Sequence, residues 1–206
     1  MKMRLMVLAV MLLSVPAGLV AAEETSPACI LPIPEGSALS EDKGLWPFGV
    51  RGGEHPLGHP GFDFEARVGT PILAVTDGSV GHVGPSGHHG GQTISIGHMT
   101  RLGWVDTYYT GSISQIRVKK GDRVRQGDVI ATLDSAEQLG MPAGLSTFHF
   151  GVGKHGPRLE IEEVCPTDYF TVQAQQALER LHRESKYAEQ QAFPLLCNPC
   201  PPGGCR

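Results

Sequence analysis

Three residues, far apart in the chain, carry side chains suited to holding a metal ion. In "HPGFDF" His59 and Asp63 stand four positions apart, and in "STFHF" a single histidine, His149, lies between phenylalanines. Imidazole nitrogen and carboxylate oxygen are donors that zinc accepts. A catalytic zinc site commonly takes three protein ligands and leaves a fourth position to water. His59, Asp63 and His149 provide that set if the fold brings them together. Nine histidines in 206 residues make chance pairs common, so spacing alone equally admits surface histidines in glycine loops.

The elements that would have to position these residues are legible as texture. From Trp46 to about Tyr169 the chain runs in short apolar stretches punctuated by glycine, such as "PILAVTDGSVGHV", "QTISIGH", "WVDTYYT" and "DVIATL". Strands of that length between Gly and Asp turns predict a mainly β domain over 46–166, an antiparallel sheet or sandwich. Residues 167–191 carry apolar positions Phe170, Ala174, Ala177, Leu178 and Leu181. That spacing predicts one amphipathic helix on the domain's edge, with its N-cap at Thr167. "VKKGDRVRQGDVIATL" reads as strand, Gly-Asp turn, strand, Gly-Asp turn, strand. The same pattern occurs in hammerhead carrier domains, but Lys119 and Lys120 are not at the hairpin tip that a carrier lysine requires. That reading also leaves His59, Asp63 and His149 unexplained. Residues 23–45 read as a leader or linker, and 192–206 as a Cys/Pro/Gly tail. No internal repeat is present.

Residues 1–22 combine Lys2 and Arg4, an apolar run from Leu5 to Leu13 and small residues ending "VAA". They predict a signal peptide cleaved after Ala22 and an exported, periplasmic or extracellular protein with no membrane span in its mature part. The net charge of −4 excludes the basic footprint of a nucleic-acid binder. Export implies an oxidising compartment, so Cys29, Cys165, Cys197, Cys200 and Cys205 should form at least one disulfide, within the tail or from the tail to Cys165. Five is odd, which leaves a thiol free or paired outside the chain.

The stretch "FGVRGGEHPLGHPGFDFEARVGTPILAVTDGSVGHV" resembles the start of the lysostaphin-type, or LytM-type, zinc endopeptidases. The shared features are His-x-x-x-Asp, then "GTP", an apolar strand and "DG-x-V", followed by the Gly-Asp turns and a late aromatic-His-Phe strand. The resemblance runs from Trp46 to about Phe170. It implies a small antiparallel sheet with a groove, a Zn2+ ion held by His59, Asp63 and His149, and peptidoglycan cross-bridge or stem peptides as the substrate class.

Two further histidines belong to that family's pattern, in Tyr-x-His-Leu and at the start of His-x-His. Here "YTGS" places Gly111 at the first position, or Thr110 with a shift of one residue, and "TFH" places Thr147 at the second. None of these can accept a proton near neutral pH. His88 and His89 in "GPSGHHGGQ" and Glu54 ahead of the ligand segment are candidate substitutes, each also readable as a solvated loop residue. The alternative implied by the losses is an inert module that binds peptidoglycan or a wall amidase. His55, His82, His98, His155 and His182 carry no assigned role, with His98 expected to be structural.

Overall fold

The computed structural model of the chain describes residues 28–38, 45–49, 58–86, 91–100, 102–155 and 161–185. The strands are β1 (Leu45–Trp46), β2 (Phe62–Arg67), β3 (Pro71–Leu73), β4 (Gly78–Pro85), β5 (Gln92–Thr100), β6 (Gly103–Gly111), β7 (Ile113–Ser114), β8 (Arg123–Val124), β9 (Val129–Leu133), β10 (Leu145–His155) and β11 (Ile161–Val164). One helix, α1 (Val172–Glu184), follows. An eight-stranded antiparallel sheet has the order β1-β2-β10-β6-β5-β4-β8, with β11 also paired to β10. A three-stranded sheet has the order β3-β9-β7. The expected mainly β architecture with one C-terminal helix is the one observed.

Alternation of side chains builds the core and, by the same step, the site. Phe62 and Phe64 of β2, Phe148 and Phe150 of β10, Tyr109 of β6 and Ile94 and Ile96 of β5 all point inward and are 0–1% exposed. Ile72, Ile130, Ala131 and Leu133 of the smaller sheet close the other side of this core. Phe64 stacks on Phe148 at 5.5 Å between centroids, and Tyr109 meets Phe150 edge-on at 5.3 Å. Burying each such side chain is worth about 1.5–3 kcal/mol. A slip of one residue between β2 and β10 would turn these aromatics to water, so the register is strongly specified.

Local chemistry shapes the rest. In both Gly-Asp turns the carboxylate accepts a backbone N–H three residues earlier, Lys119 to Asp122 at 3.0 Å and Arg125 to Asp128 at 2.8 Å. Gly121 and Gly127 take the positive φ that each turn needs. Two strands, β8 and β9, come from this segment, and Val118 lies outside any strand, in place of the three strands expected. His98 is buried within β5, between the Asp77 carbonyl and the Thr107 hydroxyl, each at 2.8 Å. It is a structural residue, as expected.

Two boundaries differ from the sequence reading. The helix begins at Val172, because Pro166–Tyr169 form a separate 3-10 turn and Thr171, not Thr167, caps α1 by accepting from the Ala174 N–H at 3.0 Å. Residues 28–38, expected as linker, pack into the domain. Cys29 and Ile33 are 1–2% exposed, and Cys29 exchanges backbone bonds with Tyr169 and Thr171. Cys29 is thus a free, buried thiol. Cys197, Cys200, Cys205 and residues 1–22, read above as a signal peptide, lie outside the described residues. No helix among the described residues is long and apolar enough to cross a membrane.

Candidate metal centre

The alternation that buries Phe62, Phe64, Phe148 and Phe150 turns the residues between them to the opposite face. In register, Asp63 stands directly across from His149 on one side, and Thr110 stands across from His149 on the other. His59 arrives from the loop ahead of β2. Asp63 Oδ1 lies 3.1 Å from His59 Nε2 and 3.0 Å from His149 Nδ1, and the two nitrogens are 3.1 Å apart. The three residues that sequence spacing left open are therefore together, as the one group of His, Cys, Asp and Glu among the described residues that could hold a metal ion.

The surroundings fix each ligand atom. His59 Nδ1 donates to the Pro47 carbonyl at 3.2 Å, so in the neutral ring the lone pair is on Nε2, facing the cluster. A carbonyl or carboxylate partner on the far ring nitrogen is the usual way of orienting a metal-binding histidine. Trp46 stacks flat on the His59 ring at 4.6 Å and 12°. His149 is held by small neighbours. A Cβ on Gly61 would stand 2.6 Å from His149 Cε1 and 2.7 Å from Nε2, so that glycine is what lets the ring lie where it does.

This donor set fits a metal ion. With Nδ1 engaged by the Pro47 carbonyl, His59 Nε2 stands beside His149 Nδ1 and the Asp63 carboxylate oxygen, a nitrogen and oxygen donor set of the kind that zinc accepts. Three ligands bound tetrahedrally at about 2.0–2.1 Å from one zinc ion lie roughly 3.3 Å apart, close to the spacings present. Burial alone would raise the Asp63 carboxyl, but hydrogen bonds from His149 and His59, together with their charges, hold it well below the usual carboxylate range. The side chain is thus ready as an anionic ligand.

Thr110, Gly111 and Thr147, the positions where the resemblance leads one to expect histidines, all lie on β6 and β10. Thr110, not Gly111, is on the face of β6 that carries the cluster, directly beside His149. Its hydroxyl lies 3.0 Å from that of Thr93 on β5. Gly111 pairs with Phe148 at φ +149, and a Cβ there would stand 2.9 Å from Phe148 Cα and from the Thr147 carbonyl. Of the two positions that the sequence left open, Thr110 is the one on the cluster's face. Thr147 keeps its place two residues before His149, opposite Glu65 of β2. Glu54, His88 and His89, the candidate substitutes, lie outside the described residues.

Sequence reasoning missed four neighbours. Trp46 and Pro47 brace His59 through a two-residue strand and a carbonyl, for which no side-chain motif exists. Glu163 of β11 pairs with Gly153, and Tyr108 lies across from Gly151 on β6. Burial raises the Glu163 carboxyl against the opposing pull of His149 and His59, which marks it as within electrostatic reach of the centre. Burial also pushes the Tyr108 phenol up to about 12, assisted by Asp106 and Glu163. A pairing register between distant strands is not visible in the local pattern of "EIEEV".

Residues 57–160 match the family profile described as Peptidase family M23. The glycyl-glycine endopeptidase ALE-1 of Staphylococcus capitis is 37% identical over 87 residues, 42% of this chain and 22% of that protein. The peptidoglycan DD-endopeptidase ShyC of Vibrio cholerae is 32% identical over 142 residues, 64% of this chain and 31% of that protein. The chain thus spans less than a third of the length of these relatives. Among solved structures, the catalytic domain of lysostaphin from Staphylococcus simulans aligns with a TM-score of 0.47 at 24% identity, covering 60% of this chain and 88% of that one.

Proposed function

Because this chain belongs to peptidase family M23, we propose that it is an exported protein that holds one zinc ion at His59, Asp63 and His149 and addresses the peptide cross-bridges of bacterial cell-wall peptidoglycan. The observation that carries this reading is the cluster itself, with three donor atoms from two strands and a loop within 3.0–3.1 Å of one another. Two endopeptidase relatives, one named for peptidoglycan, support the substrate class.

Zinc in such a site supplies a Lewis acid and a water of lowered pKa. The chain must supply the rest, namely a proton acceptor and a donor for the developing oxyanion. Thr110 and Thr147 offer hydroxyls, which can orient a water or a carbonyl by hydrogen bonding but cannot take a proton at neutral pH. General acid–base help is worth about 10²–10⁴ in rate. The proposed activity is accordingly a slow metalloendopeptidase. The two threonines also favour a second reading, a module that binds wall peptide through the same groove without cutting it.

We also propose a disulfide within the tail or from the tail to Cys165, supported by the oxidising compartment that export implies.

Metal analysis of the purified chain after mild dialysis tests the centre. About one zinc per chain is expected for the wild type, and most of it should be lost in His59→Ala, Asp63→Ala and His149→Ala. Full occupancy in His149→Ala would overturn the ligand assignment.

A further inference from the structure

The outward face of the large sheet continues away from the metal centre as a shallow strip. Along β6, Thr110, Tyr108, Asp106 and Trp104 alternate outward, while Tyr109, Thr107 and Val105 are buried. Glycines keep the floor low. A Cβ on Gly153 would stand 2.5 Å from Ile161 Cγ2 and 3.1 Å from the Tyr108 ring. One on Gly97 would stand 2.3 Å from the Trp104 ring and 3.0 Å from Asp106 Oδ1. Trp104 therefore packs against bare backbone, yet it remains 48% exposed. Beside it, His155 Nε2 binds Asp106 Oδ2 at 2.5 Å and fixes that carboxylate.

We propose that Trp104, Asp106 and His155 form a subsite for a sugar ring of the glycan strand, an inference that rests on the wall-directed reading of the metal centre. A pyranose presents a C–H face to the electron-rich face of an aromatic ring and a rim of hydroxyl donors that a fixed carboxylate can accept. This surface offers one ring and one braced carboxylate with an imidazole. An extended peptide would seek unpaired backbone groups, and β6 has none to spare, being paired to β5 and β10 on its two edges. The strip is continuous with the metal centre through Gly153 and Gly151. Trp104 lies six residues from Thr110 along β6, about 20 Å at strand rise, the length of a few linked sugars. A glycan held there would present its attached peptide to the cluster.

The test is titration of the full, zinc-loaded chain with a soluble N-acetylglucosamine hexamer, followed by tryptophan fluorescence and calorimetry. The chain has two tryptophans, so Trp104→Phe identifies the responding ring. The wild type is expected to bind saturably, Trp104→Ala to bind about tenfold more weakly, Trp104→Phe to fall between, and Asp106→Asn to lose several-fold, all with unchanged zinc content. No saturable binding by zinc-loaded wild type would overturn the subsite and leave the zinc reading standing. Equal affinity in Trp104→Ala would do the same, as would displacement of the hexamer by a glycan-free cross-bridge peptide. A wild-type chain that takes up no zinc would overturn the reading beneath it.

Discussion

At the scale of single residues, the metal centre depends on what is absent as much as on its ligands. Gly61 leaves no room for a side chain beside His149, with 2.6 Å to the ring from an added Cβ. Gly61→Ala should therefore lower zinc affinity at least tenfold and also lower the unfolding midpoint, because the same Cβ would stand 2.3 Å from the Phe150 carbonyl, measured by competition with a chromogenic chelator and by denaturant unfolding followed by circular dichroism. Unchanged affinity would show that the His149 ring has freedom to move. Gly111→His should destabilise the fold without restoring chemistry, because its Cβ meets the backbone of β10. That Asp63 and His149 could share a face was legible in the sequence because Phe-Asp-Phe and Phe-His-Phe each announce a strand that turns one polar residue away from a core. Which of Gly111 and Thr110 faces the cluster was not. Choosing between Gly111 and Thr110 requires the pairing of β6 with β10, and a shift of one residue reverses the face.

At the scale of elements, α1 and the segment 28–38 are fastened to the sheet and to each other. Leu178 is fully buried, with Ala174 and Ala177 beside it, and a cleft of about 190 Å³ is lined by Leu31, Ile33, Phe64 and Leu181. Leu178→Ala should cost about 3 kcal/mol, and Thr171→Ala about 1 kcal/mol through loss of the cap. Both would appear as lowered midpoints in denaturant unfolding. If Leu178→Ala left the midpoint unchanged, the helix would not be part of the cooperative unit. The sequence announced this helix by its period but placed its start too early, since an N-cap is equally well spelled by Thr167 and Thr171. The docking of 28–38 was hidden because it rests on isolated bridges such as Cys29 to Phe170, which leave no periodic trace.

For the whole molecule, stability depends on pH through buried groups. Burial pushes the Cys29 thiol up to about 12, against an ordinary value of 9.0, and it raises the Tyr109 phenol as well. The unfolded chain gives up these protons first, so folded stability is intact below about pH 9 and falls as pH rises toward about 12. Melting temperatures between pH 8 and 11 should decline, and Cys29→Ala should decline less steeply. An identical slope in both proteins would remove Cys29 from this account. The sheet-rich class was open to the sequence because turn chemistry and short apolar runs are local signals. The strand order β2-β10-β6, which makes the site, joins segments too far apart in the chain for any local pattern to report.

The proposal made for this centre is that it takes zinc while Thr110 and Thr147 stand beside it where the resemblance leads one to expect histidines. It is tested most directly by digesting purified peptidoglycan with zinc-loaded wild type and with the Thr110→His, Thr147→His double variant, and reading released peptides by mass spectrometry. Slow or absent release is expected from the wild type, and a gain of about a hundredfold or more from the double variant, each single variant giving less than its share. Rapid cleavage by the wild type, or a folded, zinc-bound double variant with no gain, would contradict it.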